Sequence, residues 1–170
     1  CINNYKLYSN LFKKLNSMVF SINNFFDKKH EDSKVAHFQD LDHLDGLSIS
    51  TVSCGLYDKK RDDLVLFYFR DGAHYASVYT QSKVISENIK WNKKINDKKV
   101  FGILINSRNA NALTGKEGYN SLKKISLNLS KLLISKQISD EDKPKEIKPG
   151  QILFACTGTI GEKFPETKIL

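Results

Sequence analysis

Two short apolar runs, set either side of a helical stretch, limit most tightly what this chain can fold into. Residues 100–106 read Val-Phe-Gly-Ile-Leu-Ile-Asn, and residues 151–155 read Gln-Ile-Leu-Phe-Ala. Runs this short, apolar and bounded by polar residues, suit strands buried on both faces. Between them, Thr114-Gly115-Lys116-Glu117 has the form of a capping box and predicts a helix start. Leu122, Ile125, Leu129, Leu132 and Leu133 then fall on one helical face, with Lys123, Lys124, Lys131 and Lys136 outside it. The expected fold class is therefore α/β (α+β), with helices layered on a sheet.

The flanking segments extend that pattern. Residues 47–54 alternate loosely, and residues 63–69 (Asp-Leu-Val-Leu-Phe-Tyr-Phe) are rich in β-formers. Asp71-Gly72 is compatible with a hairpin turn, residues 74–80 read as the next strand, and residues 83–91 form a polar segment. Residues 139–150 are charged, contain Pro144 and Pro149, and predict an exposed loop. No internal repeat or low-complexity tract is present. Near the start, Tyr8, Leu11, Phe12, Leu15, Met18, Val19, Ile22, Phe25 and Phe26 recur at helical spacing. Lys6, Lys13 and Lys14 on the polar face raise a mitochondrial presequence, but the absence of arginine argues for a packing helix or an untranslated leader. The chain divides into residues 1–45, a helix plus a charged connector, and residues 46–170, the main domain. Met18 is the only methionine and the expected natural start, and residues 167–170 read as the beginning of a further element.

With 170 residues, 40% hydrophobic and 27% charged, the chain has enough apolar material for a core. The charge of +8 raises a polyanion-binding module as an alternative, yet only Arg61, Arg70 and Arg108 among the 27 basic residues are arginines. Planar recognition of phosphate and guanine favours arginine, so a solvated lysine surface is the preferred reading and no nucleic-acid partner is expected. Cys1, Cys54 and Cys156 are far apart, which suggests neither disulfides nor a zinc knuckle, and a reducing compartment follows. No apolar run long enough for a membrane span occurs. His30, His37, Asp40, Asp42, His43 and Asp45 lack the spacing of an established metal site, so no metal is expected.

The second apolar run leads straight into Cys156-Thr157-Gly158. A glycine turn at a strand end presents backbone N–H groups, and the Thr157 hydroxyl adds a further donor. Such donors suit the oxyanion of an acyl transfer. A rival reading makes Cys156 a nucleophile with His74 as base, although a cysteine closing an apolar strand is more often a small buried side chain. The asparagines of residues 106–111 either bind a ligand or hold a tight loop through their own backbone, the commoner use.

Two segments in order go further than spacing. Asn106-Ser107-Arg108-Asn109-Ala110-Asn111-Ala112-Leu113-Thr114-Gly115 is followed, after one helix, by Ala155-Cys156-Thr157-Gly158-Thr159-Ile160-Gly161. This order resembles the ornithine acetyltransferase family, the bifunctional glutamate N-acetyltransferases of arginine biosynthesis. Cys54-Gly55-Leu56-Tyr57, Asp63-Leu64-Val65-Leu66 and Ala76-Ser77-Val78-Tyr79-Thr80 are similar to earlier family segments, so the resemblance runs over residues 46–170. It implies a precursor that cleaves itself, freeing a nucleophilic threonine as the first residue of a second chain. That threonine takes acetyl from N-acetylornithine and passes it to glutamate, and some members also use acetyl-CoA. Thr157 and Gly158 match the family's oxyanion-hole positions, whereas the nucleophile and the substrate-binding residues are expected downstream of Leu170. The resemblance further implies small-molecule substrates, the downstream β chain as partner, a homo-oligomer of α/β pairs, no cofactor, and a cytoplasmic location or, in a eukaryote, the mitochondrial matrix. A self-processing aminopeptidase or amidase of similar fold is the alternative. Arg108 stands where the family has glycine, and a positive φ there would strain it, so either the loop is shifted or the arginine contacts a carboxylate; Cys156 stands where the family has serine.

Overall fold

The computed structural model describes residues 44–135 and 146–170. The expected helix over residues 8–26, the connector histidines and most of the loop around Pro144 lie outside the described residues. The elements are β1 (Leu47–Val52), β2 (Leu64–His74), α1 (Glu87–Asn92), β3 (Lys99–Asn106), α2 (Gly115–Ser135), a single 3₁₀ turn (Pro149–Gln151), β4 (Ile152–Cys156) and α3 (Glu166–Ile169). The strands form one sheet in the order β1-β2-β3-β4. The first two pairings are antiparallel, and β3 pairs with β4 in parallel. A parallel pair needs a crossover, which the long α2 supplies.

The cross-strand row Ser50, Leu66, Leu104 and Phe154 shares one sheet face. On that face Leu64, Leu66, Leu104, Ile152 and Phe154 pack against Leu122, Ile125, Leu129 and Leu133 of α2 in one buried cluster. Leu132, at the rim of the expected stripe, is only half-buried. The rows Ile49-Phe67-Ile103-Leu153 and Thr51-Val65-Ile105-Ala155 point to the other face and are half-buried. The three described helices pack on one another, α1 and α3 both against α2, so they gather on the core side. Side chains of α1 close the outer edge of β4. Trp91 Nε1 donates to Ile152 O (2.9 Å), and the Asn92 amide exchanges two bonds with Phe154, Nδ2 to O (2.9 Å) and N to Oδ1 (3.0 Å). Asn92 thus stands in for a residue of a fifth strand.

Three expectations are corrected. Asp71-Gly72 is not a hairpin turn, and residues 74–80 are not the next strand. β2 continues to His74 because β3 is available beside it, and residues 69–72 bulge opposite Phe101 between the pairs Tyr68–Gly102 and Ala73–Val100. Gly72 adopts φ +71°, and a Cβ there would lie 2.9 Å from Phe101 Cζ, so glycine serves a bulge instead of a reversal. The polar segment over residues 83–91 contains α1, anchored by the buried Trp91. At the start of α2 the capping box does not form. The Thr114 hydroxyl donates to Asn111 Oδ1 (2.7 Å), and Glu117 pairs with Lys163 (2.7 Å).

Leu122 has no exposed surface. Leu122→Ala is expected to lower unfolding free energy by about 2–5 kcal/mol, read by urea denaturation, because a cavity opens between α2 and the sheet. A loss below about 1 kcal/mol would mean that α2 is not seated there.

Candidate functional site: the paired loops after β3 and β4

Parallel strands end on the same side of a sheet, so the segments leaving β3 and β4 emerge together. Asn106 and Cys156 are the last partners of the ladder. Past them Thr157 N donates to Asn106 O (3.1 Å), Thr159 N to Arg108 O (2.9 Å), Ala110 N to Thr159 O (3.0 Å) and Gly161 N to Ala112 O (2.9 Å). The pairing therefore continues along both loops, and on the β4 side it uses every second amide, Thr157, Thr159 and Gly161, as a parallel ladder does. Gly158, between two of these amides, has φ +135°, and a Cβ on it would strike the Arg108 carbonyl group. Glycine is required by both its dihedral and its surroundings. The Gly158 N–H and the Thr157 hydroxyl have no hydrogen-bond partner among the described residues, and both residues are exposed.

The asparagines hold the loop instead of facing a ligand. Asn106 Nδ2 donates to Asn109 O (2.8 Å) and Ser107 O (3.1 Å), and Asn109 Oδ1 accepts from Asn111 N (2.8 Å). Asn109 Nδ2 donates to Glu162 O and Lys163 O, both at 3.1 Å. Asn111, fully buried at φ +48°, donates to Gly118 O (3.3 Å) and accepts from Thr114. Gly118 leaves room for this knot, since a Cβ there would overlap Thr114 Oγ1 and Asn111 Oδ1. Asparagine tolerates the left-handed region because its short amide bonds locally.

Arg108 also takes a left-handed conformation, φ +75°. Its guanidinium reaches Glu162 Oε2 (2.6 Å) and Oε1 (3.3 Å), and Nη1 donates to Thr159 Oγ1 (2.7 Å). Of the two alternatives for this residue, the carboxylate contact is the one found, together with the positive φ. A left-handed residue with a Cβ costs about 1–2 kcal/mol. The ion pair, 38% and 46% exposed, contributes about 0.2–1 kcal/mol and does not outweigh that backbone cost. The segment that follows is tied to α2 and to the β1–β2 connection. Lys124 pairs with Glu166 (2.8 Å), Lys168 Nζ donates to Gly55 O (2.7 Å), and Phe164 enters the core. The Lys124 hydrogen bond holds the Glu166 carboxyl below the ordinary carboxylate range.

Sequence reasoning missed the part played by Asp63, which read only as the head of a strand. Its buried carboxylate accepts from Cys54 N and Leu56 N (both 2.7 Å), and its carbonyl accepts from Ser107 N (2.9 Å). It joins the β1–β2 connection to the site loop. The signal was an acid directly preceding an apolar strand, a place where buried charge needs several donors.

Cys156 and His74 are not brought together. Cys156 aligns with Asn106 at one end of β3, and His74 with Lys99 at the other. Seven residues of strand span about 23 Å. His74 Nδ1 lies 3.2 Å from Lys98 O, and burial pushes the Cys156 thiol from 9.0 to about 12. Cys54 is pushed to about 12 as well, by burial first and then by the neighbouring Asp63 carboxylate. Neither thiol is set up as a nucleophile. Among the described residues no group of three or more His, Cys, Asp or Glu could hold a metal ion.

Gly158→Ala is expected to cost about 1–3 kcal/mol in thermal or urea unfolding, and unaltered stability would mean the turn relaxes freely. For the thiols, the folded state keeps protons that the unfolded chain begins to lose near pH 9.0, so their contribution to stability is complete below pH 9.0 and disappears towards pH 12. Iodoacetamide at pH 8 should label Cys156 at least about tenfold more slowly in the native protein than in urea, and equal rates would refute its protonation in the fold.

A family model described as the ArgJ family matches residues 48–170. The chain is 31% identical over 130 residues to the arginine biosynthesis bifunctional protein ArgJ of Bradyrhizobium diazoefficiens, covering 76% of this chain and 29% of that protein. It is 32% identical over 126 residues to the protein of that name from Oceanobacillus iheyensis, covering 73% and 28%. It thus spans about three-tenths of the length of the curated relatives it matches. Among solved structures, the ArgJ protein of Bacillus halodurans is similar with a TM-score of 0.60 at 25% identity, over 74% of this chain and 60% of that one. The ornithine acetyltransferase of Mycobacterium tuberculosis, solved with ornithine, shares the fold with a TM-score of 0.64 at 20% identity, over 74% and 62%.

Proposed function

The chain belongs to the ArgJ family, and from that premise we propose that it carries the oxyanion-stabilising part of a self-processing acetyltransferase that moves acetyl from N-acetylornithine to glutamate. The observation that supports this reading most is the pair of unpartnered donors at the turn. Between two bonded amides, the Gly158 N–H and the Thr157 hydroxyl are left exposed and without acceptors. Donors fixed in advance by surrounding structure stabilise the negative charge that develops on an acyl oxygen, with no reorganisation at the moment of reaction.

In this reading Thr157 and Gly158 bind the oxyanion, and the nucleophile is a threonine supplied by polypeptide outside these residues. Attack on the acetyl carbonyl forms an acetyl-threonine and releases ornithine, and glutamate then accepts the acetyl group. The half-buried apolar rows on the second sheet face, together with Leu113 (68% exposed) and Ile160 (63% exposed) beside the turn, suit contact with that further polypeptide. An assembly of paired α and β chains belongs to the same proposal. A cytoplasmic setting belongs to it too, on the family resemblance alone.

The full-length protein should run as two fragments on a denaturing gel and form N-acetylglutamate from N-acetylornithine and glutamate. A soluble full-length product that does neither would remove the proposal. Thr157→Val in that protein is expected to lower kcat about 10²–10³-fold while leaving the fold intact.

A further inference from the structure

We infer that Arg108 is a positioning residue that locks the Thr157–Gly158 turn, acting through geometry and not through its charge. The inference rests on the acyl-transfer reading of that turn. Three observations carry it. Arg108 holds the turn twice, by its carbonyl, which accepts from Thr159 N (2.9 Å), and by its guanidinium, which reaches Thr159 Oγ1 (2.7 Å) and Glu162 (2.6 Å). The Gly158 Cα packs so closely on the Arg108 carbonyl that no side chain fits between them, so a shift of Arg108 moves Gly158 directly. The residue keeps φ +75°, a conformation that glycine or asparagine adopts more readily.

Backbone held off its preferred conformation beside a functional turn persists only when the surroundings fix it. Here the fixing groups are Glu162 and Thr159, both on the strand-exit loop that carries Gly158. Thr157 lies on the ladder side of Gly158, held by Asn106, and Thr159 lies on the far side, held by Arg108. The amide proposed to donate to the oxyanion is thus clamped from both flanks. Glu162 sits on the guanidinium with two contacts and largely cancels its charge, which leaves little of that charge to act on an oxyanion. A charge role and a clamp role therefore predict opposite results when Glu162 is removed.

The test uses the full-length protein with Arg108→Gly, Glu162→Ala and the pair combined. Glycine suits the local backbone, so the first variant should fold, and melting temperatures are expected to stay within about 2 °C of the unaltered protein. Each single change is expected to lower kcat for acetyl transfer about tenfold, with KM within about twofold. The combined variant should lose no more than the worse single, because both break one clamp. Amide exchange over residues 157–161, followed by mass spectrometry, should be at least about fivefold faster in both singles. Unchanged kcat and exchange in Arg108→Gly, additive losses in the combined variant, or a higher kcat in Glu162→Ala would each overturn the inference. If the unaltered protein transfers no acetyl, the functional proposal fails separately. The exchange comparison then decides alone: faster exchange upholds the clamp and equal exchange overturns it.

Discussion

The parallel hydrogen bonding of β3 to β4 is the constraint on which the rest depends. Antiparallel neighbours would send the two exit loops to opposite ends of the sheet. Parallel neighbours send both to one end, and the ladder then runs on as loop-to-loop bonds from Asn106 to Ala112. That continuation requires a crossover on one face, which α2 provides, and a core row that anchors both strands, provided by Leu104 and Phe154 with Leu122 above the sheet. Without the parallel register, Gly158 would have no Arg108 carbonyl to lie against.

Irregular backbone beside a sheet leaves amides and carbonyls that water cannot reach, and each such group is costly unless paired. Asparagine side chains meet that need here, because one amide group both donates and accepts. Asn92 does it at an edge, and Asn106, Asn109 and Asn111 do it in the loop. Among the described residues the buried side-chain polar atoms without partners are Ser50 Oγ and Asn88 Oδ1, and neither belongs to the site loops. The loops around Gly158 thus keep their buried side-chain polar atoms paired, while the outward donors of the turn stay open.

The parts of this architecture that depend on local pattern were legible in the sequence. β3, α2 and β4 follow from run length and helical periodicity, and the order of the two loop motifs pointed to the family. Residues whose fate depends on distant partners were harder to read. Asp71-Gly72 carries the same turn chemistry for a hairpin and for a bulge, and only the presence of β3 beside β2 decides between them. Thr114 and Glu117 have capping-box spacing, but Asn111 and Lys163 compete for their side chains and win. α1 has a single strongly apolar anchor, Trp91, too little for periodicity to report. Thr157 and Gly158 were legible as a turn, whereas the loop pairing that leaves their donors open required the neighbouring loop in place.

The side chains of Trp91 and Asn92 on β4 give the sheet an unequal pair of borders. On that side the backbone groups of Ile152 and Phe154 are already taken, so no incoming strand can dock there without displacing α1. β1 has no comparable strap among the described residues. Rogue edge-to-edge association through β4 is blocked by the same two side chains.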